Sequence, residues 1–222
     1  MAAFDIQDGI DTSIEETRYM IPKVFEKQPQ QQVKYDNAQT LARELKLEPG
    51  GRANVIVGGY FIFGDFLEAF ILENNIGVQK MTISTLSLSQ ENIDSLANLM
   101  NAGYIQELNL IVSYHFFSHE RNVLIPYMYE NLDIDNRFQL AVTRSHTKTA
   151  IFETPGGKKI VMHGSANLRS SYNLEQFTIE DNPELYDFYD EYQSNIIEKY
   201  KTINKPVAGK ALWKTVTTKK FK

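Results

Sequence analysis

The sequence predicts an α/β fold with a mixed β-sheet layered between helices. Three observations predict it. Between positions 53 and 143, β-rich apolar runs alternate with segments of helical periodicity. Beyond 143 the strands adjoin one another, first across a strong hairpin signal, Thr154-Pro155-Gly156-Gly157. A long aromatic helix, Glu184 to about Tyr200 with Pro183 at its start, then closes the pattern.

Taken in order, positions 1–50 read as an irregular, partly helical N-terminal extension. Within it KQPQQQ (27–32) has low complexity and is expected to loop out. Asp36 can cap a short helix running to about Leu47, with Leu41, Leu45 and Leu47 as its apolar contacts. Pro49-Gly50-Gly51 stops it. ANVIVGGY (53–60) is a strand, and Asp65–Asn75 follows as a helix with Phe66, Ala69, Phe70 and Leu72 on or near one face. VQKMTISTLS (78–87) is the next strand. Ser89 then caps a helix whose Ile93, Leu96, Ala97 and Met100 recur at i, i+3, i+4 and i+7, with Gly103 just past its end. IQELNLIVSY (105–114) is a strand, Arg121–Leu132 a helix despite Pro126, and RFQLAVT (137–143) a strand. The hairpin strands are 145–153 and 158–165, and LEQFTIE (174–180) is one more. One domain over 51–201 is therefore expected, with a basic tail over 202–222.

Composition excludes several classes. The chain has 222 residues, enough for one well-filled core but not for two large domains. Hydrophobic residues make up 42% and charged residues 23%, which argues against both wholesale disorder and a membrane protein. The N-terminus, MAAFDIQDGIDTSIEE, is acidic and lacks the basic-then-apolar layout of a secretory signal. A cytoplasmic protein is the expectation. Without cysteine there are no disulfides, thiol nucleophiles or cysteine-bound metals, and the four histidines leave a short list of catalytic groups.

The net charge of −5 hides an asymmetry. All 28 acids lie within positions 1–198 beside 15 basic residues, a net −13, whereas 199–222 holds eight lysines and no acid. Two readings of that end stand. With Trp213 and Phe221 it could meet nucleic acid by phosphate neutralisation and base stacking, or it could fold back on the acidic body.

Chemistry gathers on the hairpin. His146 and Lys148 alternate with Thr147, so on a strand they leave the same face. Across the hairpin, Gly164-Ser165-Ala166-Asn167 closes the second strand, with Ser165 and Asn167 also two apart. An imidazole, an ammonium, a hydroxyl and an amide on one small surface suit a phosphate ester. The imidazole can attack phosphorus while the others hold the non-bridging oxygens, and Gly164 leaves room for close approach.

These residues carry a resemblance. HTKTAIFE…GSANL resembles the active-site motif of the phospholipase D superfamily, His-x-Lys, four residues, Asp, then Gly-Ser-x-Asn after a second strand. His146, Lys148, Gly164, Ser165 and Asn167 match it position by position, and Glu153 stands where the family has Asp. Glu175 falls where bacterial nucleases of the superfamily carry a glutamate that steadies the histidine. The resemblance implies a phospholipase-D-like mixed β-sheet flanked by helices on both faces. It also implies a phosphohistidine mechanism needing no metal or other cofactor. The family works through two such motifs, and this chain has one, so a homodimer sharing one active site is implied. No membrane partner is expected.

Other residues have plainer readings beside the functional one. His119 sits near a strand end and could line a substrate groove, or simply belong to a loop opening the next helix. His163 reads as structural, and Lys158 and Lys159 as solvated. Arg169, two past Asn167, is a candidate phosphate contact. Tyr186, Phe188, Tyr189, Tyr192 and Tyr200 read as packing or dimer contacts before a base-stacking stripe. The expected activity is hydrolysis of a nucleic-acid phosphodiester, DNA or RNA. A non-catalytic binding protein on the same fold, and a lipid or small-molecule phosphodiesterase, are the alternatives.

Overall fold

A computed structural model of the chain describes residues 19–20, 30–31, 38–58, 61–169 and 173–202. Along the chain run β1 (Tyr19–Met20), β2 (Gln30–Gln31), α1 (Ala38–Glu44), β3 (Arg52–Val57), α2 (Phe63–Glu73), β4 (Val78–Thr85) and α3 (Gln90–Asn101). There follow β5 (Ile105–Ser113), α4 (Tyr114–Glu120), α5 (Leu124–Leu132), β6 (Phe138–Thr143), β7 (Thr149–Glu153), β8 (Lys159–Gly164), β9 (Glu175–Asp181) and α6 (Pro183–Tyr200).

All the described strands join one sheet in the order β1-β3-β9-β8-β7-β4-β5-β6, with β2 added in parallel to β3. The β4, β5 and β6 strands are parallel neighbours, while β7, β8, β9 and β3 alternate in direction. One consequence positions the site. A single edge of the sheet collects the C-terminal ends of β3, β4, β5 and β8 together with the first residues of β7 and β9. Loops at such an edge carry ligand chemistry in open α/β sheets.

Alternation along each strand separates two cores. Ala150 and Phe152 of β7, with Ile160 and Met162 of β8, face the larger core, which also takes Phe66 and Phe70 of α2, Ile93 and Met100 of α3 and Met128 of α5. Ile151 and Val161, one residue out of phase, meet Tyr186 of α6 on the other face. The expected mixed sheet with helices on both faces is what forms. Phe177 stacks into α2, its ring 4.9 Å from Phe66 and 5.1 Å from Phe63, which fixes the start of β9 against the larger core.

Local signals explain the element ends. Asn92 Oδ1 accepts from the Ser89 amide (3.0 Å) at the start of α3, and Gly103 beyond its end takes φ +82°, where a β-carbon is disfavoured. In the β7–β8 hairpin, Gly157 turns with φ +79° and donates its amide to Thr154 O at 2.9 Å.

Several expectations need correction. Residues 30–31 pair with β3 instead of looping out, and Asp36 lies outside the described residues. Leu41, Ala42 and Leu45 are buried in the main core, so a boundary at 50 does not set α1 apart from the domain. At the other end Thr202, expected in the basic tail, is fully buried. The stretch His115–Glu120 is helical, because Ser113 Oγ accepts from the Phe116 amide (3.0 Å) and caps α4, while Phe116 and Phe117 reach the core. Among the described residues no helix is long and apolar enough to cross a membrane.

Candidate active site

The site is built where β7 begins and β8 ends. Residues 145–148 form an extended lead-in to β7 and are not part of the strand. Hydroxyls hold this lead-in down. Thr147 Oγ1 shares hydrogen bonds of 2.7 Å with both Ser84 Oγ and Ser145 Oγ, and Ser145 Oγ also accepts from the Thr147 amide at 3.2 Å. With Thr147 turned toward β4, its neighbours His146 and Lys148 turn the other way. Lys148 Nζ donates to His146 O (2.9 Å) and lies 3.4 Å from His146 Nδ1. An ammonium has no acceptor to offer, so in this pairing Nδ1 accepts and the imidazole proton sits on Nε2. His146 is exposed and Lys148 half-buried.

The second half of the motif is pinned to the first. The Gly164 amide donates to Lys148 O at 3.1 Å, one rung beyond the Thr149–His163 pair. Glycine is required there: a β-carbon at 164 would stand 2.1 Å from Gln176 O and 2.6 Å from Phe177 Cα. Beyond it, the Ser165 amide donates to Gln176 O (2.8 Å), and Ser165 Oγ accepts from the Gln176 amide (3.0 Å). Asn167 Oδ1 accepts from the Leu86 amide (3.2 Å), which leaves Nδ2 as the donor on its other side. Leu168 then locks the loop, donating to Thr85 Oγ1 (3.4 Å) and accepting from the Gly64 amide (2.9 Å).

The predicted residues divide. His146 and Lys148 touch, and backbone bonds join them to Gly164, Ser165 and Asn167 at the same sheet edge. Glu175 begins β9 at that edge, but its carboxylate is engaged by Ser165 Oγ in a short hydrogen bond, and none of the described bonds ties it to His146. Arg169 is exposed just beyond Leu168, and Arg144 is exposed just ahead of the lead-in. His119 lies exposed on α4, at the end of β5 and so two strands from β7. Its ring stacks on His115 with centroids 4.1 Å apart, and Nδ1 lies 2.9 Å from His115 O.

Glu153 does not reach the site. It ends β7, which runs away from His146, and four steps of strand put it roughly 13 Å beyond Thr149. There it pairs with Lys159 across the hairpin and lines a cavity with Lys80, Gln106 and Tyr186. His163, expected to be structural, lies on β8 beside β9. Its Nε2 lies 3.2 Å from Glu180 Oε1, and that hydrogen bond is the main cause holding the Glu180 carboxyl below the ordinary carboxylate range, against the opposing effect of burial.

Sequence reasoning missed the supports: Ser84, Thr85, Leu86, Ser113 and Thr147. Ser113 Oγ donates to Leu86 O (3.0 Å), and the Leu86 amide in turn holds Asn167, so α4 and the motif share one loop. Their signal was small hydroxyl residues at the C-terminal ends of β4 and β5.

Three solved structures are similar to this chain over about two thirds of its length. Nuc from Salmonella typhimurium, described as a phospholipase D family member, is 13% identical with a TM-score of 0.48, over 67% of this chain and 96% of that one. NucT from Helicobacter pylori is 18% identical with a TM-score of 0.47, over 67% and 98% of the two chains. A phosphatidylserine synthase from Haemophilus influenzae is 12% identical with a TM-score of 0.45, over 68% of this chain and 40% of that one. No family model matches the sequence, and no curated protein matches it.

Proposed function

We propose that this chain is a phosphodiesterase of the phospholipase D type that hydrolyses nucleic-acid phosphodiester bonds through a phosphohistidine. The observation that carries the proposal is the joining of His146 and Lys148 to Gly164-Ser165-Ala166-Asn167 by the 3.1 Å bond from Gly164 to Lys148 O. Nucleophile and anion-binding groups then lie on an open sheet edge. Arg144 and Arg169 are exposed close in sequence to Lys148 and Asn167, cations that would support a phosphate-rich substrate beside the single carboxylate of Glu175.

In the proposed reaction His146 attacks phosphorus, the N–P bond forms and the ester P–O bond breaks. The departing oxygen takes a proton from the partner's His146 in a homodimer. Water then attacks phosphorus and gives its proton to the partner's His146, and the N–P bond breaks. The attacking nitrogen must be unprotonated. Lys148 therefore has to move from His146 to a non-bridging phosphate oxygen, where it and the Asn167 amide stabilise the growing charge. In this reading Glu175, held by Ser165, orders this end of β9, and it steadies the imidazole only if it changes partner once Lys148 leaves.

The test is hydrolysis of bis(p-nitrophenyl) phosphate and of labelled single- and double-stranded DNA and RNA in excess EDTA, wild type beside His146→Ala. Cleavage of a nucleic acid by wild type alone supports the proposal. Binding with a steep salt dependence but no cleavage would favour a binding protein on this fold. Cleavage of the small ester alone would move the substrate away from nucleic acid.

A further inference from the structure

The last described residues, Lys201 and Thr202, have a definite place and direction. β9 runs away from the site edge, and α6 carries the chain back along one face of the sheet, where Tyr186 meets Ile151 and Val161. Lys201 then forms an antiparallel bridge with Ala141 of β6. Thr202 is buried, and both its amide (2.9 Å) and its hydroxyl (3.0 Å) donate to Leu140 O. β6 runs toward the site edge, so a chain antiparallel to it sets out away from His146. It also sets out antiparallel to α6.

The outer face of α6 is acidic and aromatic. Glu184, Phe188, Glu191 and Tyr192 recur at helical spacing and are all exposed, Phe188 to 63% and Tyr192 to 40%. The helix carries five acids, Glu184, Asp187, Asp190, Glu191 and Glu198, against Lys199. Asp187 and Asp190 meet lysines of the sheet, Lys159 and Lys80, on the flank of the helix. Residues 203–222 offer the complement: six lysines, no acid, and Val207, Leu212, Trp213, Val216 and Phe221 among them.

We propose that this lysine-rich segment docks along the outer face of α6, its apolar residues on Phe188 and Tyr192 and its lysines toward Glu184 and Glu191. Length permits it. The 18-residue helix is roughly 27 Å long, which eight or nine extended residues span, and 20 are available. Burying the aromatic strip supplies apolar area, and the charge complement sets position and direction. The segment is thereby held on α6, away from His146, and phosphate attraction at the site falls to Arg144, Lys148 and Arg169.

Trp213 is the chain's single tryptophan, so emission excited beyond the tyrosine absorption band reports on this segment alone. The experiment is acrylamide quenching of the full chain at low salt without nucleic acid, for wild type, Glu184→Lys/Glu191→Lys and Phe188→Ser, with folding followed by circular dichroism. Wild type should show blue-shifted emission and quenching several-fold weaker than free tryptophan. The charge reversal, Phe188→Ser, and about 0.5 M salt should each move both readings toward the free values with the helix signal intact. Four results would overturn the proposal: a wild-type tryptophan as quenchable as the free amino acid, protection unmoved by either variant, protection that fades on dilution and so needs a second copy, or protection that appears only on adding DNA.

Discussion

The Gly164 amide donates to the carbonyl of Lys148 at 3.1 Å, and this bond joins the two halves of the proposed site. It forms because β7 and β8 are neighbours in register and because residue 164 has no side chain. Gly164→Ala would drive a methyl into Gln176 O and Phe177 Cα, main-chain atoms that cannot step aside. The expected cost is about 2–3 kcal/mol, as for other overpacked positions, read as a lower urea midpoint with an unchanged slope. A neutral result would mean that β9 is free to shift and that the site is not held as described.

Asn167 performs two tasks that separate by substitution. Its Oδ1 holds the Leu86 amide, and in the proposed reaction its Nδ2 is the donor to phosphate. Asn167→Asp keeps the acceptor and removes the donor, so it should leave thermal stability near wild type while lowering kcat/KM at least 100-fold. Asn167→Ala also leaves the Leu86 amide without its partner and should cost about 1–2 kcal/mol of stability. Equal stability losses in both variants would refute this division.

Acid sensitivity should trace in part to Glu180. Its carboxyl is held below the ordinary range, first by the His163 hydrogen bond and further by Asn182 and Arg52, while burial opposes the shift. A carboxyl lowered in the folded state stabilises above its unfolded value, near 4.3, and that contribution is lost as pH falls through the folded value. Glu180→Gln should therefore be less stable than wild type by about 1–3 kcal/mol at pH 7 and should converge with it below about pH 4. Urea midpoints at the two pH values measure this. A gap that stays constant with pH would assign the loss to packing alone.

Thr202 closes the fold at the β6 edge. Burial pushes the Tyr129 hydroxyl well above the ordinary phenol range, and that hydroxyl shares a short hydrogen bond with Thr202 Oγ1. Thr202→Val strands the Tyr129 hydroxyl and should lower stability by about 1–2 kcal/mol. Adding Tyr129→Phe should cost less than the sum of the two single changes, since both partners are then gone. Strict additivity would show that the two hydroxyls do not interact.

Much of the fold was legible because its cues are local. Thr154-Pro155-Gly156-Gly157 specified the hairpin, and Ile93, Leu96, Ala97 and Met100 specified the face of α3. The pairing of β3 with β9 was not legible, since Val55 meets Phe177 across more than a hundred residues of chain. Two further features escaped for related reasons. α4 is seven residues long, too short for a periodic signal, and exists because Ser113 caps it and Phe116 and Phe117 are buried. Thr202 looks like the start of a basic tail until β6 supplies the carbonyl it binds. At the proposed site, the nearness of His146 and Lys148 to Gly164 was legible from the hairpin, but only the direction of β7 shows that Glu153 stands at its far end.

The most direct test of the central claim is to trap the covalent intermediate. Wild-type protein is mixed with a phosphodiester labelled at phosphorus, quenched in alkali during turnover and digested. The expected result is an alkali-stable, acid-labile label on the peptide that carries His146, absent from His146→Ala and formed equally in excess EDTA. Turnover with no such label, or a label on another residue, would contradict it.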